Sequence, residues 1–172
     1  MYNPLFTHGD DSYRFRVPIV ADFSSNVGMD SPSDGLLAHL GDRLSVIGNY
    51  PQLHAESLTE GYASFHDVDS QMILVVNGTA EAIFLIACHF QRVHSTIVSP
   101  TFSEYENACL LHQHSIDYVA VDSISSLTRT AAGLFWLCNP NNPTGHCFDL
   151  LMLDRLIGDN PQTIFVIDEA YI

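Results

Sequence analysis

Lysine is missing from all 172 residues, so the six arginines are the only Lys or Arg set against twenty Asp and Glu. The formal net charge of −14 speaks against nucleic acid and anionic membrane surfaces as partners. A phosphate-binding loop of the G-K-[ST] kind is excluded outright, because it needs a lysine. No G-x-G-x-x-G follows an apolar strand pattern, which leaves a dinucleotide-binding dehydrogenase without its fingerprint. The charge balance still leaves room for one small anionic ligand, since backbone N–H groups at a helix N-terminus hold phosphate without a local cation. Apolar runs stay well short of the roughly 18 residues a membrane helix needs. Met1–Ser12 is mostly polar and has no apolar h-region, so no secretory signal is expected. Cysteine is sparse: Cys88, Cys109, Cys138 and Cys147 form no C-x-x-C pair and sit in or beside apolar segments. They read as buried free thiols in a reducing, cytoplasmic compartment. The nine histidines include His112 and His114, but no H-x-x-x-H or H-E-x-x-H spacing, and no metal site is predicted.

What is present is apolar and patterned. Hydrophobic residues make up 47% and charged residues 15%, which indicates a folded domain with a core. Residues 1–30 lack helical periodicity and read as an N-terminal arm with a short strand near Pro18–Phe23. Ser31 is a candidate cap for the next helix, Pro32 suits its first turn, and Asp34 faces the positive dipole end. Leu36, Leu37, Leu40, Leu44 and Ile47 then share one helical face, up to the stop at Gly48-Asn49-Tyr50-Pro51. A second helix is predicted over 54–66.

From there strands and helices alternate. Strands are predicted at 72–76, 96–99, 116–121, 134–137 and 163–167. Helices are predicted at 79–91, 103–114 and 149–157, the last stopped by Gly158. This alternation predicts an α/β fold of three α/β/α layers, with a mainly parallel sheet covered on both faces. In such sheets ligands bind beyond the C-terminal ends of the strands.

The residues at those ends are chemically suggestive. Asn77-Gly78-Thr79-Ala80-Glu81 opens a helix, so its amides can cradle a phosphate; the same letters also serve as ordinary capping. Phe102 can cover the face of a flat heteroaromatic ligand or pack beneath its own loop. Cys138-Asn139-Pro140-Asn141-Asn142-Pro143-Thr144-Gly145 is a stiff, asparagine-rich loop. Some of its amides are expected to hold the turn, and at least one can aim at a ligand. Asp168 follows an apolar strand, where a carboxylate loses hydration unless a cation or hydrogen-bond donors meet it. With no lysine in the chain, a ligand cation is an attractive partner, and a helix-cap or backbone role is the alternative.

Taken in order, Asn77–Glu81, Pro100-Thr101-Phe102-Ser103-Glu104-Tyr105, Asn139–Gly145 and Asp168-Glu169-Ala170-Tyr171 resemble the large domain of fold-type I pyridoxal-phosphate (PLP) enzymes. The likeness is to the branch containing histidinol-phosphate aminotransferases. Asp22-Phe23-Ser24-Ser25-Asn26 and the Pro100–Tyr105 run are also similar to threonine-phosphate decarboxylases. The resemblance covers about residues 20–172. It implies PLP as cofactor, with Gly78, Thr79 and Ala80 on the phosphate and Phe102 stacked on the ring. Asn142 and Tyr171 would share the ring hydroxyl oxygen. Asp168 would pair with the pyridine nitrogen, which makes Asp168 and Tyr171 the expected catalytic residues. Tyr50 would reach the phosphate of a neighbouring subunit's cofactor, although without the resemblance it is a plain turn aromatic. Asn26 would line the substrate pocket.

The resemblance further implies an amino donor and a 2-oxo acid as small-molecule partners, and a homodimer for the full-length protein. The lysine these enzymes use as Schiff-base partner has no counterpart here. Residues 31–172 are therefore expected to form a partial PLP-binding domain that is inactive by itself. A threonine-phosphate decarboxylase-like lyase and a non-catalytic binding module are the alternatives.

Overall fold

A computed structural model describes residues 13, 15–21, 24, 26 and 32–172 of the chain. These divide into two compact units, Met1–Val75 and Val76–Ile172.

In the first unit, helix α1 (Asp34–Arg43) continues into a 3-10 turn at Leu44–Gly48, and helix α2 follows at Glu56–His66. The cap of α1 is Ser33, whose Oγ accepts from the amide of Leu36 at 3.2 Å. Ser31, expected in that role, lies outside the described residues. Asp34 is in the first turn and Arg43 in the last, both favourable to the helix dipole. The periodic face of Leu36, Leu37, Leu40, Leu44 and Ile47 is exposed, and α1 buries none of its residues within this unit. Residues 18–21 form no strand, and the rest of the strand expected at 18–23 lies outside the described residues.

The second unit is built on a four-stranded sheet of order β2-β1-β3-β4. Its strands are β1 (His94–Ser99), β2 (Ser115–Ala120), β3 (Leu134–Cys138) and β4 (Ile164–Asp168), all paired in parallel. The helices are α3 (Thr79–His89), α4 (Glu104–Leu111) and α5 (Leu150–Asp159).

Alternation along β3 shows how the layers arise. Leu134, Trp136 and Cys138 face one core together with Ile83 and Ala87 of α3 and Tyr105, Ala108 and Cys109 of α4. Phe135 and Leu137 face the other core, with Leu153 and Leu156 of α5. Every β3 residue is buried, as expected of a strand covered on both faces.

Three sequence expectations need correction. The apolar run at 72–76 is not a strand: a 3-10 turn covers Ser70–Met72, and the extended residues after it join no ladder among the described residues. Met72 and Leu74 are largely exposed. Gly158 does not stop α5, which runs on to Asp159 with Asn160 as its C-cap. One glycine in a helix costs only about 1 kcal/mol, too little to end it against the packing of Leu153 and Leu156. Finally, Cys109 and Cys138 are buried free thiols, but Cys88 and Cys147 are exposed ones.

Candidate functional site

The loops after β3 and β4 and the start of α3 converge at the C-terminal end of the sheet. Cys138 and Asp168 end adjacent strands in direct register, and the amide of Asn139 donates to the carbonyl of Asp168 at 2.8 Å. This splice fixes the asparagine loop against the end of β4. A hollow of about 200 Å³ lies there, lined by Thr79, Ala80, Phe102, Tyr105, Cys138, Asn142, Asp168, Ala170 and Tyr171.

Gly78 turns the chain into α3 with φ +88° and ψ 165°, a conformation essentially reserved for glycine. A Cβ there would meet nothing within 4 Å, so backbone conformation, not crowding, requires the glycine. With no side chain at the N-cap, the first-turn amides of α3 receive no side-chain cap. Glu81 instead accepts from the backbone and side-chain amides of Asn77, which braces the turn from the preceding residue.

The three asparagines of the loop occupy different settings. Asn139 and Asn141 are buried and hold the loop. Asn139 Oδ1 accepts from the Phe148 amide at 2.9 Å. Asn141 accepts from Thr101 Oγ1 at 2.8 Å and donates to the Pro100 carbonyl at 2.9 Å and to Thr144 Oγ1 at 2.8 Å. Asn142 is the one that lines the hollow. Phe102 packs against the core and also forms one wall of the hollow.

Asp168 is partly buried. Its Oδ1 accepts from the Ala170 amide at 3.0 Å and its Oδ2 from the Tyr105 hydroxyl at 2.7 Å. Tyr105 is 1% exposed, stacked on Trp136 with centroids 5.7 Å apart and set edge-on to Phe102 at 5.9 Å. Burial first, then hydrogen bonds with Cys138 and Asp168, push its phenol far above the ordinary tyrosine range. The hydroxyl therefore keeps its proton and acts as a donor. Sequence reasoning quoted Tyr105 only as a motif letter. The available signal was only its place three residues after Phe102 in the same loop-to-helix segment.

The structure thus brings Thr79, Ala80, Phe102, Asn142, Asp168 and Tyr171 to one hollow; Gly78 precedes Thr79 as the N-cap of α3 and is not among the lining residues. Tyr50 and Asn26 belong to the other unit and are both exposed there. Among the described residues, no group of three or more His, Cys, Asp or Glu is arranged to hold a metal ion, and no helix is long and apolar enough to cross a membrane.

Comparison with known proteins places the chain among relatives of similar sequence and fold. The chain is 30% identical over 143 residues to a histidinol-phosphate aminotransferase of Francisella philomiragia, covering 74% of this chain and 39% of the relative. It is 29% identical to the threonine-phosphate decarboxylase of Salmonella typhimurium, covering 88% of this chain and 44% of the relative. Among solved structures, the L-threonine-O-3-phosphate decarboxylase of Porphyromonas gingivalis superposes with a TM-score of 0.78 at 36% identity, over 81% of this chain and 45% of the other. The chain therefore spans less than half the length of these relatives. The family model for aminotransferase class I and II matches residues 38–172, and the chain belongs to that family.

Proposed function

We propose that this chain carries the cofactor pocket of a PLP enzyme. The reaction is amino-group transfer between an amino acid or phosphorylated amine and a 2-oxo acid. The observation that carries the reading is the position of Asp168: its carboxylate lines the same hollow as the start of α3 and Asn142.

The residues present fit such a group. The uncapped first turn of α3, at Gly78, Thr79 and Ala80, suits a phosphate, because its N–H groups and the helix dipole both favour an anion. Phe102 offers an aromatic face, Asn142 an amide and Tyr171 a hydroxyl for a ring oxygen. Asp168 offers a carboxylate for a protonated ring nitrogen. When bound, the cofactor supplies an electron sink for charge developing at the substrate α-carbon. The protein's part is to orient it and to keep the nitrogen protonated.

The chain contributes no lysine, so the covalent anchor and proton shuttle of the family are not among its residues. By itself it binds the cofactor non-covalently and does not transaminate. The division into an N-terminal arm (1–30) and a partial cofactor domain (31–172) belongs to the same proposal. So do the substrate contact of Asn26, a homodimer in which Tyr50 serves the neighbouring subunit's cofactor, and a cytoplasmic setting.

One observation favours a second reading, a decarboxylase acting on an amino-acid phosphate. It is supported by the likeness to the threonine-O-3-phosphate decarboxylase structure, at 36% identity over 81% of this chain. Both readings use the same pocket.

Titration with PLP, followed by quenching of Trp136, the single tryptophan, tests the shared claim. Saturable binding that is lost in Gly78→Val is expected, because a β-branched residue cannot hold φ near +88°. Joined to a relative's C-terminal half containing the lysine, the chain should give the visible band of lysine-bound cofactor. A chain that binds no PLP in either form is a binding module of another kind.

A further inference from the structure

Tyr105 is the most deeply buried titratable side chain in contact with the hollow, and the function just proposed gives it no task. A buried phenol needs a hydrogen-bond partner, and many could serve. Here the partner is the carboxylate on which the proposed chemistry turns, 63 positions away in sequence. Asp168 is tied at Oδ1 by its own local turn, through the Ala170 amide. That bond alone leaves the carboxyl free to swing about its side-chain torsions. The second tie, at Oδ2, comes from a different element, α4, and removes that freedom. Its ring is clamped between Trp136 and Phe102, so the donor is stiff. An ionised carboxylate offers about four lone-pair sites, so two donors leave acceptor capacity toward the hollow.

We propose that Tyr105 is a positioning residue: its hydroxyl holds the Asp168 carboxylate in the orientation that meets the protonated ring nitrogen of the cofactor. This rests on the PLP reading above. Phe102 lies just before α4 and Tyr105 lies in its first turn, so one helix start sets both the ring wall and the aim of the acid. The phenol, held far above its ordinary range, stays a donor and never becomes a second anion beside Asp168.

The test uses the 172-residue chain, PLP labelled with 15N in the ring, and the variant Tyr105→Phe, which keeps the aromatic packing. Two quantities are read: the dissociation constant from Trp136 quenching and the 15N shift of the bound ring nitrogen. The variant should bind PLP roughly tenfold more weakly, the scale of one lost charge-assisted hydrogen bond, and its 15N signal should move toward the unprotonated position. In an Asp168→Ala background, where the Tyr105 hydroxyl has already lost its carboxylate acceptor, adding Tyr105→Phe should cause no further loss of affinity. Wild-type-like affinity and 15N shift in Tyr105→Phe overturn the proposal, leaving Tyr105 as packing alone. Equal losses with and without Asp168 overturn it too, and this comparison stands even if the single variant folds poorly. Failure of the wild-type chain to bind PLP is a different outcome: it removes the PLP reading itself, and this inference with it.

Discussion

At the N-terminal end of the strands, Ser95, His114 and Trp136 form a buried polar network. His114 Nε2 donates to the Ala87 carbonyl at 2.9 Å, and its Nδ1 meets Ser95 Oγ at 2.8 Å. Trp136 Nε1 donates to the same oxygen at 3.4 Å. A carbonyl only accepts, so the His114 proton sits on Nε2, Ser95 donates to Nδ1, and every group is matched within the protein. At the C-terminal end, Tyr105 and Asp168 make an equally short bond, but the carboxylate is only partly buried and borders a hollow. The first network closes on itself and ties α3, β1 and β3 together. The second aims a charge outward. A buried hydrogen bond is therefore no sign of function by itself; the informative feature is acceptor capacity left facing space.

Four substitutions would break or sharpen this contrast, in falling order of their effect on stability. Trp136 touches both ends, through Ser95 and through Tyr105, and is fully buried. Trp136→Ala should cost about 3–5 kcal/mol by urea denaturation, and a loss below about 1 kcal/mol would show that the two ends are not joined through it. His114→Ala strands Ser95 and the Ala87 carbonyl and should cost about 2–3 kcal/mol. Its PLP affinity, followed by quenching of Trp136, should stay at the wild-type level; a fall at unchanged folding would erase the distinction between the ends.

The third is a matter of pH. Tyr105 has a folded-state value raised above its ordinary 10.0, so its contribution is complete below that pH. Above it the unfolded chain releases the proton while the folded chain keeps it, and stability falls as pH rises. Tyr118, half-exposed, is pushed up to about 12 by partial desolvation and its bond to Glu106 and acts more weakly in the same sense, as does buried Cys109. Comparing wild type with Tyr105→Phe isolates one proton, about 1.4 kcal/mol per pH unit above about pH 10. Equal slopes in the two proteins would contradict the buried-donor assignment. The smallest effect on folding is expected from Asp168→Asn, about 1 kcal/mol or less, since an amide fills the same space. Its PLP affinity should nevertheless fall more than tenfold, and an unchanged affinity would mean the charge has no cationic partner.

Sequence reading located the parallel strands and the loops after them because both signals are local: short apolar runs for β1, β3 and β4, and glycine, proline and asparagine clusters at their ends. It failed where structure depends on a distant partner. The run at 72–76 has strand composition, but a strand exists only through a ladder, and no described strand pairs with it. The leucine face of α1 predicts burial that its own unit does not supply. Tyr105 escaped for the same reason, since its hydrogen bond spans 63 residues and leaves no periodic trace. Ser33 displaced Ser31 as the candidate cap because a cap is fixed by where the helix begins, and the two serines, two positions apart, read alike.

The most direct measurement is a crystal structure of this chain grown with PLP. The account predicts the phosphate on the amides of Thr79 and Ala80, Phe102 over the ring, and the ring nitrogen about 2.8 Å from an Asp168 oxygen. A ring turned so that its nitrogen faces away from Asp168, or a phosphate bound elsewhere, would contradict it.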